Sequence, residues 1–374
     1  MKPASLGLYV HIPFCQRKCA YCDFPSYPGQ EHLREAYTQA LCQEIVSRGE
    51  ALGHPEADSL FIGGGTPSLM APRHMADILA ALKAAFPWAK GMEATCEANP
   101  ESLSAAFLEA LAAGGVNRLS LGAQASQLHL LHALGRGHSW EQVAQGVRLA
   151  REEGIPNVNI DLMAGLPGQT VLDVGDSLDA AVALSPQHLS CYGLILEEGT
   201  PLSQGVASGE LQLPEEETEL QMDALIRAKL AAEGFIHYET SNHAKPGYAC
   251  RHNLNCWEYE EYLGFGAAAA GFFKGRRRKN PVALLDYLEG QAPEEHSVTP
   301  EEARFEQVML GLRLTKGVED AAFERRQGQS LMAAFGPAIR RHMAGGLLAF
   351  SRGHLHLTQE GRGLMNLVLV DFLP

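Results

Sequence analysis

The sequence is short of positive charge. Thirty Lys and Arg stand against 44 Asp and Glu in 374 residues, a formal net charge of −14 at pH 7. A surface of that sign repels phosphate backbones, which argues against nucleic acid as the main partner. Long apolar runs are missing as well. The longest, Phe265 to Phe273, has nine residues, four of them alanine, against the roughly 20 that cross a bilayer as a helix. No integral membrane segment is expected. The opening MKPASLGLYVHIPF lacks the apolar stretch and small-residue cleavage site of a secretory signal, so the expectation is a soluble, cytoplasmic protein. With 46% hydrophobic and 20% charged residues the composition is that of an ordinary globular chain, which excludes disordered and fibrous architectures. At roughly 150 residues per domain, the length suggests two to three domains.

Cysteine is sparse, and its distribution is uneven. Eight residues are too few for a disulfide scaffold at this length, and a reducing compartment disfavours one. Cys42, Cys96, Cys191, Cys250 and Cys256 are scattered. Cys42 and Cys191 read as small core side chains. Cys15, Cys19 and Cys22 instead fall within eight residues, spaced C-x3-C-x2-C, which puts three soft ligands on one short loop. Structural zinc would need a second ligand pair further on, and Cys250 with Cys256 or His252 is poorly spaced for it. A four-iron cube normally takes one thiolate per iron. Three local thiolates would leave its fourth iron open to a substrate.

Short apolar or alternating runs predict strands at Leu8–Ile12, Ser59–Ile62, Glu93–Glu97, Arg118–Leu121, Asn157–Leu162 and His188–Leu194. Between them lie helical patterns. Leu33, Tyr37, Leu41 and Ile45 recur at i, i+4 within Glu31–Leu52, and Pro72–Phe86, Ser102–Ala113, Trp140–Glu153, Thr170–Leu184 and Glu215–Glu233 read alike. Six strand–helix alternations imply an α/β protein with a parallel sheet and outer helices. The chemically suggestive residues cluster at the C-terminal ends of the predicted strands, where such sheets gather ligands.

The stretch YVHIPFCQRKCAYCDF resembles the cluster loop of radical S-adenosylmethionine (SAM) proteins, in particular their coproporphyrinogen-oxidase-like branch. The resemblance implies a partial (β/α)6 TIM-like barrel over residues 1–235, with a [4Fe-4S] cluster on Cys15, Cys19 and Cys22. It further implies SAM chelated to the open iron, where reduction cleaves the sulfonium to a 5′-deoxyadenosyl radical. Gly64, Gly65 and Thr66 of GGGTP match the motif that meets the SAM amino group. Glu97 in CEANP, Gln124 in LGAQ, Arg136 in LGRGH and Asp161 in NIDLMAGLPGQ match further SAM-site positions in order. Tyr9, Tyr21 (just before the third cysteine) and Ile195 are implied as additional SAM neighbours. Ser126 stands where the family usually has an aromatic, a change expected to affect packing.

Within that family, the oxidases carry a longer N-terminal arm and a fourth cysteine where this chain has Phe24. Both features align it with the heme-chaperone branch. The segment His252-Asn253-Leu254-Asn255-Cys256-Trp257 resembles that branch's heme motif, which implies His252 as an axial ligand and Trp257 as a packing partner on the macrocycle. Cys256 replaces a tyrosine of the motif, and Ala270 a histidine further on. The implied function is to bind heme and pass it to an acceptor protein, with the SAM–cluster unit governing folding, dimer formation or release. The alternative is radical chemistry on coproporphyrinogen or a related tetrapyrrole.

Residues 236–298 form a connector carrying the His–Trp motif, in which the basic run from Lys274 to Lys279 is expected as a solvated loop. Residues 299–374 order as helices Pro300–Leu314 and Ser330–Ala344, a hairpin over Leu347–Leu357 and a helix from Gln359, resembling a winged-helix-like domain. Nine Lys/Arg against eight Asp/Glu from Pro300 onward do not support DNA binding. The domain is expected to pack on the barrel.

Overall fold

The computed structural model describes residues 6–373. Six parallel strands form its centre: β1 (Leu6–Ile12), β2 (Ala57–Gly64), β3 (Trp88–Ala98), β4 (Arg118–Gln124), β5 (Asn157–Ala164) and β6 (His188–Gly193). They lie side by side in chain order, each joined to the next through helical crossovers, as parallel neighbours require. Observed helices at Arg34–Leu52, Pro72–Ala85, Ala105–Ala113, Trp140–Glu152, Val171–Ala183 and Glu216–Ala232 match the expected ones to within a few residues. Ser139 and Thr170 start two of them as capping boxes, each bonding the N3 backbone while the N3 side chain returns to the cap.

Alternation along the strands sorts the two faces. Leu8, Val10 and Ile12, Leu119 and Leu121, and Val158 and Ile160 are fully buried in the core. Each such side chain contributes about 1.5–3 kcal/mol of burial. The interleaved residues are polar: Tyr9 and His11, Thr95 and Glu97, Arg118 and Ser120, Asn159 and Asp161, His188 and Ser190. They share the opposite face, so this sheet encloses chemistry rather than a second apolar core. Cys42 and Cys191 pack against the apolar core as expected.

The sheet does not stop at six strands. Beyond β1 come Glu261–Phe265 (parallel), then Ala270–Phe273, Arg276–Lys279 and Glu294–Ser297 (antiparallel); beyond β6 come Asn242–Ala244 and Ile236–His237. Among the described residues no pairing joins the two ends of the twelve-stranded order, which is open. The basic run is corrected by this arrangement. Arg276–Lys279 is a strand, not a loop, and its three arginines are paired on both faces. Arg276 and Arg278 reach Glu295 at 3.1 and 2.9 Å, while Arg277 turns to Glu306 at 2.8 Å.

The last seventy residues build a separate apolar core around Val308, Phe323, Leu331, Ile339, Leu355 and Phe372. Helices Pro300–Gly311, Asp320–Gln327 and Leu331–Ala344 precede a hairpin of Leu348–Ser351 with His354–Leu357, joined by the short strand Val318–Glu319. The hairpin turns at Arg352–Gly353, both at positive φ, the conformation a two-residue turn requires. The helix at Asp320–Gln327 and the strand at Val318 were not evident in the sequence.

Candidate functional site

Ile12 ends β1 and the chain enters the cysteine loop at once. Phe14–Cys15 pairs with Tyr27–Pro28, closing the loop on itself. Its middle is tied down by backbone bonds, Ala20 N–H to Leu134 O at 3.0 Å and Leu202 N–H to Ala20 O at 2.9 Å. His11 holds the exit: its Nε2 donates to Pro25 O at 2.9 Å, which leaves Nδ1 to accept from the Tyr9 hydroxyl at 2.9 Å. Burial lowers the His11 pKa and favours this neutral form. Tyr21 packs on a small cluster of Leu130, Leu131 and Leu134.

Two of the three sulfurs have a side-chain donor within reach. The Thr66 hydroxyl lies 3.6 Å from Cys15 Sγ and Arg136 Nη1 lies 3.8 Å from Cys19 Sγ, while burial raises the Cys22 thiol to about 11 against the pull of the Phe24 N–H. Among the described residues no three His, Cys, Asp or Glu side chains converge as a single metal ion would need. A donor set in which each thiolate takes its own iron makes no such demand. Three thiols on one short loop fit a cube that takes one thiolate per iron.

The glycines of GGGTP stand at the end of β2 for steric reasons. Gly64 sits at φ 114°, and a Cβ there would come within 2.6 Å of the His11 ring. At Gly65 a Cβ would meet Phe14 O at 2.7 Å and Cys15 Sγ at 3.0 Å. The Gly64 N–H donates to Glu97 Oε2 at 3.2 Å. Burial, with the Asp161 charge adding to it, pushes the Glu97 carboxyl up to about 8; the Gly64 N–H and Arg118 act against the rise. Asp161 is also raised by burial, although it accepts from Asn159 at 2.7 Å and Ser120 at 3.2 Å. Two carboxyls share a desolvated mouth, an arrangement suited to a cationic ligand.

Gln124 ends β4 at φ 65°, next to a register shift between Gly122 and Gln124. A bulge with a non-glycine residue in left-handed conformation is strain of the kind found at ligand sites. Arg136 donates to Gly122 O and, through Nη1, to Asn99 Oδ1 at 3.1 Å; its Nε is buried without a partner. Thus Tyr9, Gly64, Gly65, Thr66, Glu97, Gln124, Arg136 and Asp161 come together at one end of the sheet beside Cys15, Cys19 and Cys22. Ile195 does not join them; it stands at the rim, 70% exposed. Ser126 is absorbed into packing, with its N–H and hydroxyl both against Ser177 Oγ.

Two residues of this end escaped the sequence reading. Asn99 links Thr66 and Arg136, and its place two residues after Glu97 on the same inward face was the available signal. Tyr192 follows His188 and Ser190 at the same spacing; burial first, and then the Asp161 and Glu97 charges, oppose ionisation of its phenol.

The His–Trp motif lies elsewhere. His252 sits on the helix Arg251–Trp257, with Nδ1 3.3 Å from Ser59 Oγ and its ring stacked 5.6 Å from Phe61. A Cβ on Gly7 would come within 3.1 Å of that ring. Gly7 and Ser59 pair near the start of β1 and β2, five residues before Ile12, so the imidazole lies roughly 17 Å from the cluster end at strand rise. The expectation that every suggestive residue sits at strand C-termini is corrected here. His252 is 5% exposed, and burial lowers its pKa to about 4. Trp257 buries its Nε1 without a partner and carries the Arg313 guanidinium 5.2 Å over its ring. Burial raises the Cys256 thiol to about 12, and Ala270 lies exposed in its strand. A neutral imidazole suits iron, but no macrocycle can reach this one in the conformation seen.

Comparison with known proteins agrees with the cysteine-loop geometry. Residues 9–181 match the radical SAM superfamily, and residues 298–364 match the HemN C-terminal domain. The fold is that of coproporphyrinogen III oxidase (HemN) from Escherichia coli, described as a radical SAM enzyme, at TM-score 0.84 and 23% identity over 99% of this chain and 90% of that one. The fold and site define a radical SAM protein of the HemN-like class. More narrowly, the chain belongs to the family of proteins named heme chaperone HemW. It is 37% identical to that of Bacillus subtilis over 98% of both chains, and 33% identical to that of Escherichia coli over 100% of this chain and 99% of the other. No helix among the described residues is long and apolar enough to cross a membrane.

Proposed function

We propose that this chain holds a [4Fe-4S] cluster on Cys15, Cys19 and Cys22, binds SAM beside it, and carries heme to an acceptor protein. When bound, the cluster supplies the electron that cleaves a sulfonium. The chain's own residues do the holding. Glu97 and Asp161 offer carboxylates to the ligand's ammonium and ribose, and the glycines of residues 63–65 admit it against the backbone. Arg136 and Thr66 keep donors on the thiolates. Tyr9, through His11, braces the loop. Tyr21 and Gln124 complete the surround.

The observation that carries the SAM half is the pair of desolvated carboxyls facing the thiol loop. Support for the heme half is the chain-long likeness to proteins named heme chaperone. Because His252 is enclosed, no step through heme is derived. The retained SAM-facing residues also support the second reading, radical chemistry on a tetrapyrrole.

Anaerobic reconstitution with iron and sulfide analysis, followed by parallel measurement of bound heme and released 5′-deoxyadenosine, tests the whole. The expected result is about four irons per chain and a saturable Soret shift on heme titration. A chain that takes up iron but gives no Soret shift removes the heme role. Conversion of coproporphyrinogen III above the level of a Cys19→Ala control would favour the enzymatic reading.

A further inference from the structure

We propose that Asn99 is the positioning residue that aims hydrogen bonds at two of the three cluster thiolates. The inference rests on the reading that Cys15 and Cys19 hold the cluster. Arg136 has only donors to offer, so the Asn99 atom 3.1 Å from its Nη1 is the amide oxygen. The amide nitrogen then faces Thr66 Oγ1 at 3.2 Å. Thr66 is the acceptor there, so its single proton is free for another partner, and Cys15 Sγ lies 3.6 Å away. On the other side, Arg136 Nη1 is held between Asn99 Oδ1 and Cys19 Sγ. One amide thus fixes both the rotor that serves Cys15 and the guanidinium that serves Cys19.

Asn99 is itself rigidly seated. Its N–H donates to Ser68 Oγ at 3.1 Å, and its carbonyl accepts from the Ser102 N–H at 3.1 Å. Pro100 follows and restricts Asn99 to the extended region it occupies, φ −99° and ψ 139°. The opposite amide orientation would set an NH2 group against a guanidinium and a carbonyl against nothing but a hydroxyl. A single strand end therefore presents Glu97 to the nucleotide and Asn99 to the cluster's supports.

Donors on thiolate sulfurs favour the more negative, reduced cluster and raise its potential. The full chain, reconstituted without oxygen or SAM, is titrated with dithionite and followed by EPR. Asn99→Ala is expected to shift the midpoint to more negative values with iron content unchanged. Thr66→Val should shift it the same way, Thr66→Ser should not, and Asn99→Ala should add less on the Thr66→Val background than alone. An unshifted Asn99→Ala midpoint overturns the proposal, as does full additivity of the two substitutions. If Asn99→Ala fails to retain iron, the Thr66→Val and Thr66→Ser pair decides: a split between them supports the proposal and equality overturns it. An iron-free wild-type chain would instead overturn the cluster reading beneath it.

Discussion

Glu97 accepts the Gly64 N–H while the Asp161 charge bears on it across the same mouth. Its carboxyl, pushed up to about 8, is mostly protonated at neutral pH in the free chain. A cationic ligand needs it ionised. Binding of SAM is therefore expected to tighten as pH rises from 6 to 8, by up to about tenfold per unit, with proton release at pH 7. Glu97→Gln should flatten the profile. Calorimetry in buffers of differing ionisation enthalpy reads both. The sign for folding is opposite: a raised carboxyl favours the folded chain below its unfolded pKa, and that contribution is lost as pH climbs to about 8. Wild type should lose unfolding midpoint relative to Glu97→Gln over that window.

Gly64→Ala should destabilise the chain by about 1–3 kcal/mol through its left-handed backbone, and by more where the new methyl drives His11 off Pro25. Gly53→Ala makes the control, since Gly53 is left-handed too but has nothing within 4 Å of the added Cβ. Thermal unfolding of the two variants should separate strain alone from strain with collision.

Removing the cluster should leave the barrel standing. The thiol loop is closed by its own strand pair and by Leu134 and Leu202, and the apolar core lies on the other face of the sheet. A Cys15→Ala, Cys19→Ala, Cys22→Ala chain is expected to keep its circular dichroism and a cooperative transition, unlike small metal domains that unfold without their ion. Collapse of the far-ultraviolet spectrum would contradict this.

The helix bearing His252 is strapped to the C-terminal residues. Lys316 reaches Glu258 at 2.6 Å, Arg326 reaches Glu260 and Glu258 O at 3.0 Å, and the Tyr259 hydroxyl donates to Glu306 at 2.9 Å. Exposed ion pairs are each worth about 0–1 kcal/mol, so the strap is breakable. Lys316→Ala with Arg326→Ala should speed alkylation of Cys256, resolved peptide by peptide, several-fold, and should speed heme uptake in parallel. Unchanged rates would place heme away from His252.

The parallel strands were legible because each is a short apolar run fenced by helical periodicity. Arg276–Lys279 was not, since four consecutive cations hide an alternation that only Glu295 and Glu306 reveal from across the chain. The thiol loop and its glycines were legible as spacing. Asn99 was not, because an amide before proline reads as punctuation until its two partners, Thr66 and Arg136, are brought beside it. The place of His252 depends on where the chain returns after β6, and local sequence carries no mark of that return.

The open sheet has two borders, and neither invites a neighbour. One is Glu294–Ser297, wholly exposed and led by two glutamates; the other, Ile236–His237, is two residues long. An acidic fringe and a stub offer poor templates for an incoming strand. The sheet can therefore stay open at both borders without courting fibrillar assembly through its unpaired rims.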